Sequence, residues 1–263
     1  RNTNEIYKEY DSYILNHNVK KLRAEKLADE LITFFRKLKL RTNRIKIKKL
    51  IHKHDNFFYK ENLIKDNYGG IGYNNSLILF IFSELVKVNT VIESGVWKGY
   101  TTSIFDKTLK NAEKYCFDIN FSKLIYKSKE AKYINFDLDE YTFDKKKKLN
   151  SCLAFFDDHV SQYNRFLFCD KNKIPYIVFD DDVDYLTVHS DGWPPIPTIS
   201  MMRNYNKSKS NFKWKSLNRL GVANLKKINS SGLKNYYYFR APNLFRITGY
   251  QSISFMSFLV RKK

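Results

Sequence analysis

Cysteine is scarce in this chain: three in 263 residues, at Cys116, Cys152 and Cys169. The set is odd and has no C-x-x-C spacing. That argues against a disulfide framework or a thiolate zinc site, and it fits a reducing, cytoplasmic compartment. All three lie in or beside apolar runs, where buried thiols are expected. Long apolar runs are missing too. The best stretch, Ser76 to Val86, contains Glu84 and falls short of the roughly 18 residues of a membrane span. No transmembrane segment is expected. The chain opens on Arg1 without a charged-then-apolar leader pattern, so no secretory signal is expected either. Acidic residues are few against basic ones, 27 to 47, for a formal net charge of +20. One reading is an anionic partner: nucleic acid, an acidic glycan or a phosphate-bearing surface. The other is compositional bias, because Lys, Asn, Ile, Tyr and Phe are all abundant. The basic residues are dispersed rather than gathered in one block, which favours bias. No internal repeat is present.

What is present is a core-forming composition, 43% hydrophobic, enough for one large-cored domain with a small extension. Residues 1–66 read as a basic helical extension. Ala24, Leu27, Leu31, Phe34, Phe35 and Leu38 recur at helical spacing within Asn18–Leu40. Arg41–His54 continues the pattern with Ile45, Ile47, Leu50 and Ile51 among lysines. A helix hairpin laid on the main domain is one reading, and a basic arm that grips substrate is the other. Residues 67–263 form the second unit. It opens with Asn67–Asn75, where Gly69, Gly70 and Gly72 break any helix. This is a linker, or a loop that folds over a bound ligand. A helix over Ser76–Val86 follows.

Strands and helices then alternate. Strands are expected at Val88–Ile92, Tyr115–Ile119, Lys132–Phe136, Cys152–Phe156 and Tyr176–Phe179. Helices are expected at Thr101–Glu113, Ser122–Lys129 and Val160–Asp170, with a lysine-rich turn at Lys145–Lys148. Gly192 to Pro197 is an irregular loop. A helix is expected between Ser216 and Lys227. Tyr236–Arg240 and Ser252–Val260 read as two last strands in a hairpin. The fold class is α/β: a Rossmann-like, doubly wound, mostly parallel seven-stranded sheet with an antiparallel C-terminal edge strand, plus the N-terminal helical extension.

The most informative stretch is residues 88–102. An apolar strand runs into Glu93, then Gly95 and Gly99 follow four apart, then Thr101 and Thr102 stand where a helix should begin. A strand, a glycine turn and a helix start bring backbone N–H groups close to a nucleotide-like ligand. Every parallel strand ends in acid: Glu93, Asp118, Asp137, Asp157 and Asp180. In doubly wound folds ligands bind at that rim. Asp118, 25 positions after Glu93, suits ribose hydroxyls. Asp137, one strand further out, is placed for an adenine amino group. Asp157-Asp158 and Asp180-Asp181-Asp182 are denser. Neighbouring carboxylates repel, and a hard dication with oxygen ligands resolves the repulsion. His159 beside it is a candidate general base. A helix-start histidine bonded to a neighbouring acid is the plainer reading.

On these residues, residues 67–263 resemble the class I S-adenosylmethionine-dependent methyltransferases. The family's acid-x-Gly-x-Gly-x-Gly motif reads here Glu93-Ser94-Gly95-Val96-Trp97-Lys98-Gly99, with Trp97 in place of the middle glycine. Gly-Val-Trp-Lys-Gly is similar to the variant in metal-dependent sugar O-methyltransferases of macrolide biosynthesis (macrocin O-methyltransferase-like) and in cephalosporin-hydroxylase-like proteins. The resemblance implies that Glu93, Gly95, Trp97, Gly99, Thr101, Thr102, Asp118 and Asp137 line S-adenosylmethionine. It implies that Asp157 (or Asp158), Asp180 and Asp181 supply the ligands of Mg²⁺, with His159 or a ligating aspartate such as Asp157 as the catalytic base. The implied activity is O-methylation of a sugar, glycan or other small molecule, with Trp193–Pro197 as part of the acceptor pocket. An RNA or other nucleic-acid methyltransferase is the alternative. Yet after the fourth strand the chain has Phe-Phe-Asp-Asp-His, not Asn/Asp-Pro-Pro-aromatic, and no Pro-Cys pair exists. A binding protein that kept the fold is a third reading. A homo-oligomer stays open.

Overall fold

In the computed structural model, the described residues are 17–64, 67–144, 147–184, 194–204, 211–216, 219–224, 228–252 and 254–263. Lys145, Lys146, Gly192 and Trp193, named above, lie outside them, as do residues 1–16 of the basic extension.

The N-terminal segment forms α1 (His17–Lys37) and α2 (Arg44–Asn56), the latter running into a π turn at Phe57–Glu61. Asn43 caps α2 by accepting from Lys46 N at 2.9 Å, which satisfies one orphan donor of the first turn. Next comes α3 (Tyr73–Leu85), whose residues 73–83 are all buried. A helix apolar on every side must be enclosed on every side, and α3 is sandwiched between the sheet and α1–α2. Leu27, Leu31, Phe35, Ile47 and Ile51 share one core with Leu77, Phe80, Phe82 and the sheet residues Phe155, Val178 and Phe258. The N-terminal helices therefore have no core of their own. Each such fully buried Leu or Phe contributes about 1.5–3 kcal/mol.

The sheet strands are β1 (Thr90–Ser94), β2 (Glu113–Phe117), β3 (Ala131–Ile134), β4 (Cys152–Phe156), β5 (Tyr176–Phe179), β8 (Tyr236–Arg240) and β9 (Ser257–Arg261). Outside this sheet, β6 (Asn211–Ser216) and β7 (Arg219–Asn224) pair with each other. The strand order is β3-β2-β1-β4-β5-β9-β8, parallel from β3 to β5. The last strand, β9, runs antiparallel and slots between β5 and β8. Side chains alternate across the sheet with period two. Val91, Leu153, Phe155 and Val178 face the α3 layer. Ile92, Ala154, Phe156, Ile177 and Phe179 face the other side, with Phe166 and Cys169 of α5 (Gln162–Lys171) and Ile199 and Met202 of α6 (Ile199–Arg203). Helix α4 (Tyr100–Thr108) follows β1, and α7 (Phe245–Thr248) precedes β9. All three cysteines are buried and unpaired. Among the described residues, no helix is long and apolar enough to cross a membrane.

Among the described residues, two expected helices are absent; Lys227, at the end of the second, lies outside them. Residues 121–130 are irregular. Asn120 and Ser122 are drawn into side-chain turns (Asn120 N to Asp118 Oδ1, Ser122 N to Asn120 Oδ1), and Ile125 and Tyr126 donate back to Lys98 O. Ser and Asn offering such local partners compete with a helix. The segment expected as a helix from Ser216 overlaps instead the β6–β7 hairpin. There Leu220 and Val222 alternate as a strand requires.

Candidate functional site

The strand order reverses at β1, which lies between β2 and β4; ligands of such sheets bind at the carboxyl ends beside that point. The glycine turn sits there. Gly95 and Gly99 both hold left-handed backbone, at φ +86° and +85°. Space demands them as much as torsion. A Cβ on Gly95 would lie 2.1 Å from Asp157 O, and one on Gly99 2.2 Å from Tyr126 O. The turn after β1 is thus pressed onto the backbone after β4. Val96 N and Trp97 N both donate to Asp118 Oδ2, at 2.9 and 3.0 Å. Asp118 therefore fixes the shape of the turn. Trp97, in place of the middle glycine, holds φ +50° and is 42% exposed. Its indole N–H donates to Tyr68 O at 3.2 Å, so the glycine-rich loop of residues 67–72 rests on it.

Glu93 lies beneath the turn. It is wholly buried, accepting from Thr102 Oγ1 at 2.7 Å and Cys116 Sγ at 3.5 Å, while Oε1 has no partner. Burial pushes its carboxyl up to about 8; at neutral pH it carries its proton. Thr102 is fully buried and Thr101 nearly so. Glu93 and Thr102 make the seam between β1 and α4, whereas Gly95, Trp97 and Gly99 form the turn that Asp118 holds.

The remaining acids divide around one cation. Arg165, in the first turns of α5, is fully buried. It binds Asp137 bidentately at 3.1 and 2.7 Å, Asp139 at 2.8 Å, and Asp158 Oδ2 through Nε at 2.8 Å. Asp158 Oδ2 also accepts from Ser94 Oγ at 2.6 Å. Both Asp137 oxygens and the inner Asp158 oxygen are thus engaged. Burial alone would raise Asp137, but the guanidinium overcomes it and the net shift is downward. Nothing in the sequence pattern singled out Arg165. Its only signal is a charged residue on the rim-facing start of a helix otherwise packed by Phe166 and Cys169.

Asp157, His159 and Asp181 come together on the other side of β4. Their ligating atoms all lie within 4.8 Å of one another. His159 Nε2 is 4.0 Å from Asp157 Oδ1 and 3.9 Å from Asp181 Oδ2. Burial lifts the Asp157 carboxyl well above its ordinary value, and Asp180, Asp181, Asp158 and Glu93 add to it. Asp180 is raised as well, by burial and by Asp181; its Oδ1 accepts from Ser254 Oγ at 2.5 Å. Asp182 is turned away, held by Tyr238 OH, Ser200 N and Arg240. Of the expected metal ligands, the structure gathers Asp157 and Asp181, keeps Asp180 behind them, and gives Asp158 to Arg165. Of the proline loop, Pro194 and Pro195 are buried, and the carbonyls of Pro195 and Pro197 accept from Gln162 N and Tyr163 N of α5.

No protein-family profile and no curated protein matches the chain. Solved structures resemble it. TomG, the O-methyltransferase from Streptomyces achromogenes involved in tomaymycin synthesis, solved with S-adenosylmethionine, is 12% identical. The match covers 88% of this chain and 95% of TomG at a TM-score of 0.43. A S-adenosylmethionine-dependent O-methyltransferase from Thermotoga maritima is 12% identical, over 81% of this chain and 71% of that one, at 0.38. CmcI, solved with Mg and S-adenosylmethionine, is 11% identical, over 48% of this chain and 64% of its own, at 0.36. The chain thus spans less than two thirds of CmcI. It has a Rossmann-like fold. That assignment rests on the strand order and register, and these likenesses say nothing of what this chain acts on.

Proposed function

We propose that this chain is a S-adenosylmethionine-dependent O-methyltransferase, assisted by a dication, acting on a hydroxyl of a sugar, glycan or other small molecule. One contact carries the reading: the Gly95 turn is pressed onto the Asp157 backbone. A methyl donor on the turn and an oxygen nucleophile at Asp157, His159 and Asp181 would then meet at one point of the rim.

The donor set fits a dication. Two carboxylates and an imidazole converge, and the causes that raise Asp157 include four acids and no cation. Ligands on an ion with bonds of about 2.1 Å lie about 3 Å apart when adjacent and about 4.2 Å when opposite. The separations of 3.9 and 4.0 Å lie between those two values, so a bound ion would draw the ring and the carboxylates slightly together. When bound, a dication lowers the pKa of the acceptor hydroxyl and S-adenosylmethionine supplies an electrophilic methyl group.

The chain's own residues do the rest. Asp118 accepts from three backbone N–H groups, Val96 and Trp97 of the turn and Asn120 of its own loop. A carboxylate has about four acceptor positions, so one is left for a ribose hydroxyl. Arg165 keeps Asp137 and Asp158 fixed, and with them the loops after β3 and β4. The proton leaving the hydroxyl has two acceptors in the cluster, Asp157 and His159. The loop of residues 67–72, lodged on Trp97, would cover the bound donor and exclude water.

Calorimetric titration of S-adenosylmethionine, with and without dication, tests the reading. Micromolar binding by the wild type and its loss in Asp118→Ala are expected. No binding in either condition removes the methyltransferase reading.

A further inference from the structure

We infer that His159 is itself a ligand of the dication, and that this makes the site favour a transition dication such as Mn²⁺ over Mg²⁺. The inference rests on the metal-assisted reading above and goes beyond it, because carboxylates suit Mg²⁺ and Mn²⁺ alike and a ring nitrogen adds a preference for the transition ion.

Two of the four expected oxygen ligands are engaged elsewhere. Asp158 is bound to Arg165 and Ser94. Asp180 is 5% exposed and has one oxygen under Ser254 Oγ at 2.5 Å. The third corner of the gathered group is His159, with Nε2 nearly equidistant from Asp157 Oδ1 and Asp181 Oδ2. At these distances Nε2 lies beyond hydrogen-bond length from either carboxylate, and it is placed to give its lone pair to an ion between them.

Ligand chemistry then selects the ion. Mg²⁺ takes oxygen ligands and keeps its waters, whereas imidazole suits first-row transition ions, and affinity for mixed nitrogen and oxygen donors rises along that series. Mn²⁺ is the transition ion that tolerates carboxylates best. A second consequence follows for the reaction. A ring nitrogen bound to an ion cannot take a proton there, so the acceptor of the hydroxyl proton becomes an Asp157 oxygen.

The test uses the full chain stripped with a chelator and titrated by calorimetry with Mn²⁺ and with Mg²⁺. The Mn²⁺-loaded protein is also examined by electron spin echo for nitrogen modulation. The expected result is tighter Mn²⁺ than Mg²⁺ binding, with ¹⁴N modulation in the wild type. His159→Asp should lose the modulation and reduce the Mn²⁺-to-Mg²⁺ affinity ratio by about tenfold or more while still binding Mg²⁺. Bound Mn²⁺ without nitrogen modulation in the wild type overturns the inference, whatever the variant does. So does an affinity ratio unchanged in a folded His159→Asp. No binding of either ion overturns this inference and the dication assistance together. The S-adenosylmethionine titration then judges the methyltransferase reading separately.

Discussion

Asp157 and Asp158 follow one another at the end of β4, and the fold gives them different surroundings. Burial raises both carboxyls. For Asp158 that rise is opposed by Arg165, Ser94 and the Val160 amide. For Asp157 it is compounded by four neighbouring acids. The rim therefore has two halves of like composition. One is complete in itself, three aspartates around a guanidinium that matches them in geometry. The other is a concentration of negative charge beside one imidazole. A fold does not gain stability by crowding carboxylates, and the dication proposed above would relieve that crowding.

The most severe way to break this contrast is to remove the cation. Arg165→Met leaves three acids of the rim without their partner. A loss of about 3–5 kcal/mol is expected, read from urea unfolding. Arg165→Lys should recover part of it, since the charge stays but the fork does not. A loss below about 1 kcal/mol would mean that the clamp does not fix the acids.

Sharper still is the pair of neighbouring substitutions. Asp158→Asn should cost about 1.5–3 kcal/mol, the worth of charge-assisted hydrogen bonds. Asp157→Asn in chelator should cost nothing or raise stability slightly, because it relieves repulsion, while abolishing dication binding. Equal losses in both would erase the distinction between the halves.

Glu93 makes a third test, through pH. Its folded value of about 8 lies above the ordinary 4.5. The folded state holds the proton more tightly, so the stability from this group is fully present below about pH 4.5 and is lost as pH rises through 8. Glu93→Gln, which mimics the protonated form, should match the wild type near pH 4 and exceed it at pH 9 in thermal unfolding, with the gap already open at pH 6. A variant that tracks the wild type throughout would place the Glu93 carboxylate charged in the fold.

The smallest effect belongs to Trp97→Phe. It removes only the indole hydrogen bond to Tyr68 at a half-exposed site, and less than about 1 kcal/mol of stability should be lost. Amide exchange over residues 67–72 should nevertheless quicken. Unchanged exchange there would show that the loop is held by other contacts.

Much of this molecule was legible in the residues. Strands β4, β5 and β8 lie where the apolar runs of Cys152–Phe156, Tyr176–Phe179 and Tyr236–Arg240 put them, because turn residues bound each run. β1 was placed two residues too early. An acid reads as the end of a strand, yet Glu93 lies within β1, paired with Cys116 and Phe155, and burial keeps its proton on. The segment after Asp118 read as a helix from composition, but side-chain turns and the glycine turn claim its amides. The acidic rim was legible as a set. Its division was not, because sequence shows which strands end in aspartate and not which of them a distant arginine reaches. Arg165 lies seven positions after Asp158 and 28 after Asp137, and only the packing of α5 on β4 joins the three.

The most direct test is an anomalous difference map from crystals grown with Mn²⁺ and S-adenosylmethionine. The account predicts one strong peak bounded by Asp157, His159 and Asp181, with cofactor density over the Gly95–Gly99 turn and Asp158 still on Arg165. A peak elsewhere on the rim, or an occupied metal site with no cofactor on the turn, would contradict it.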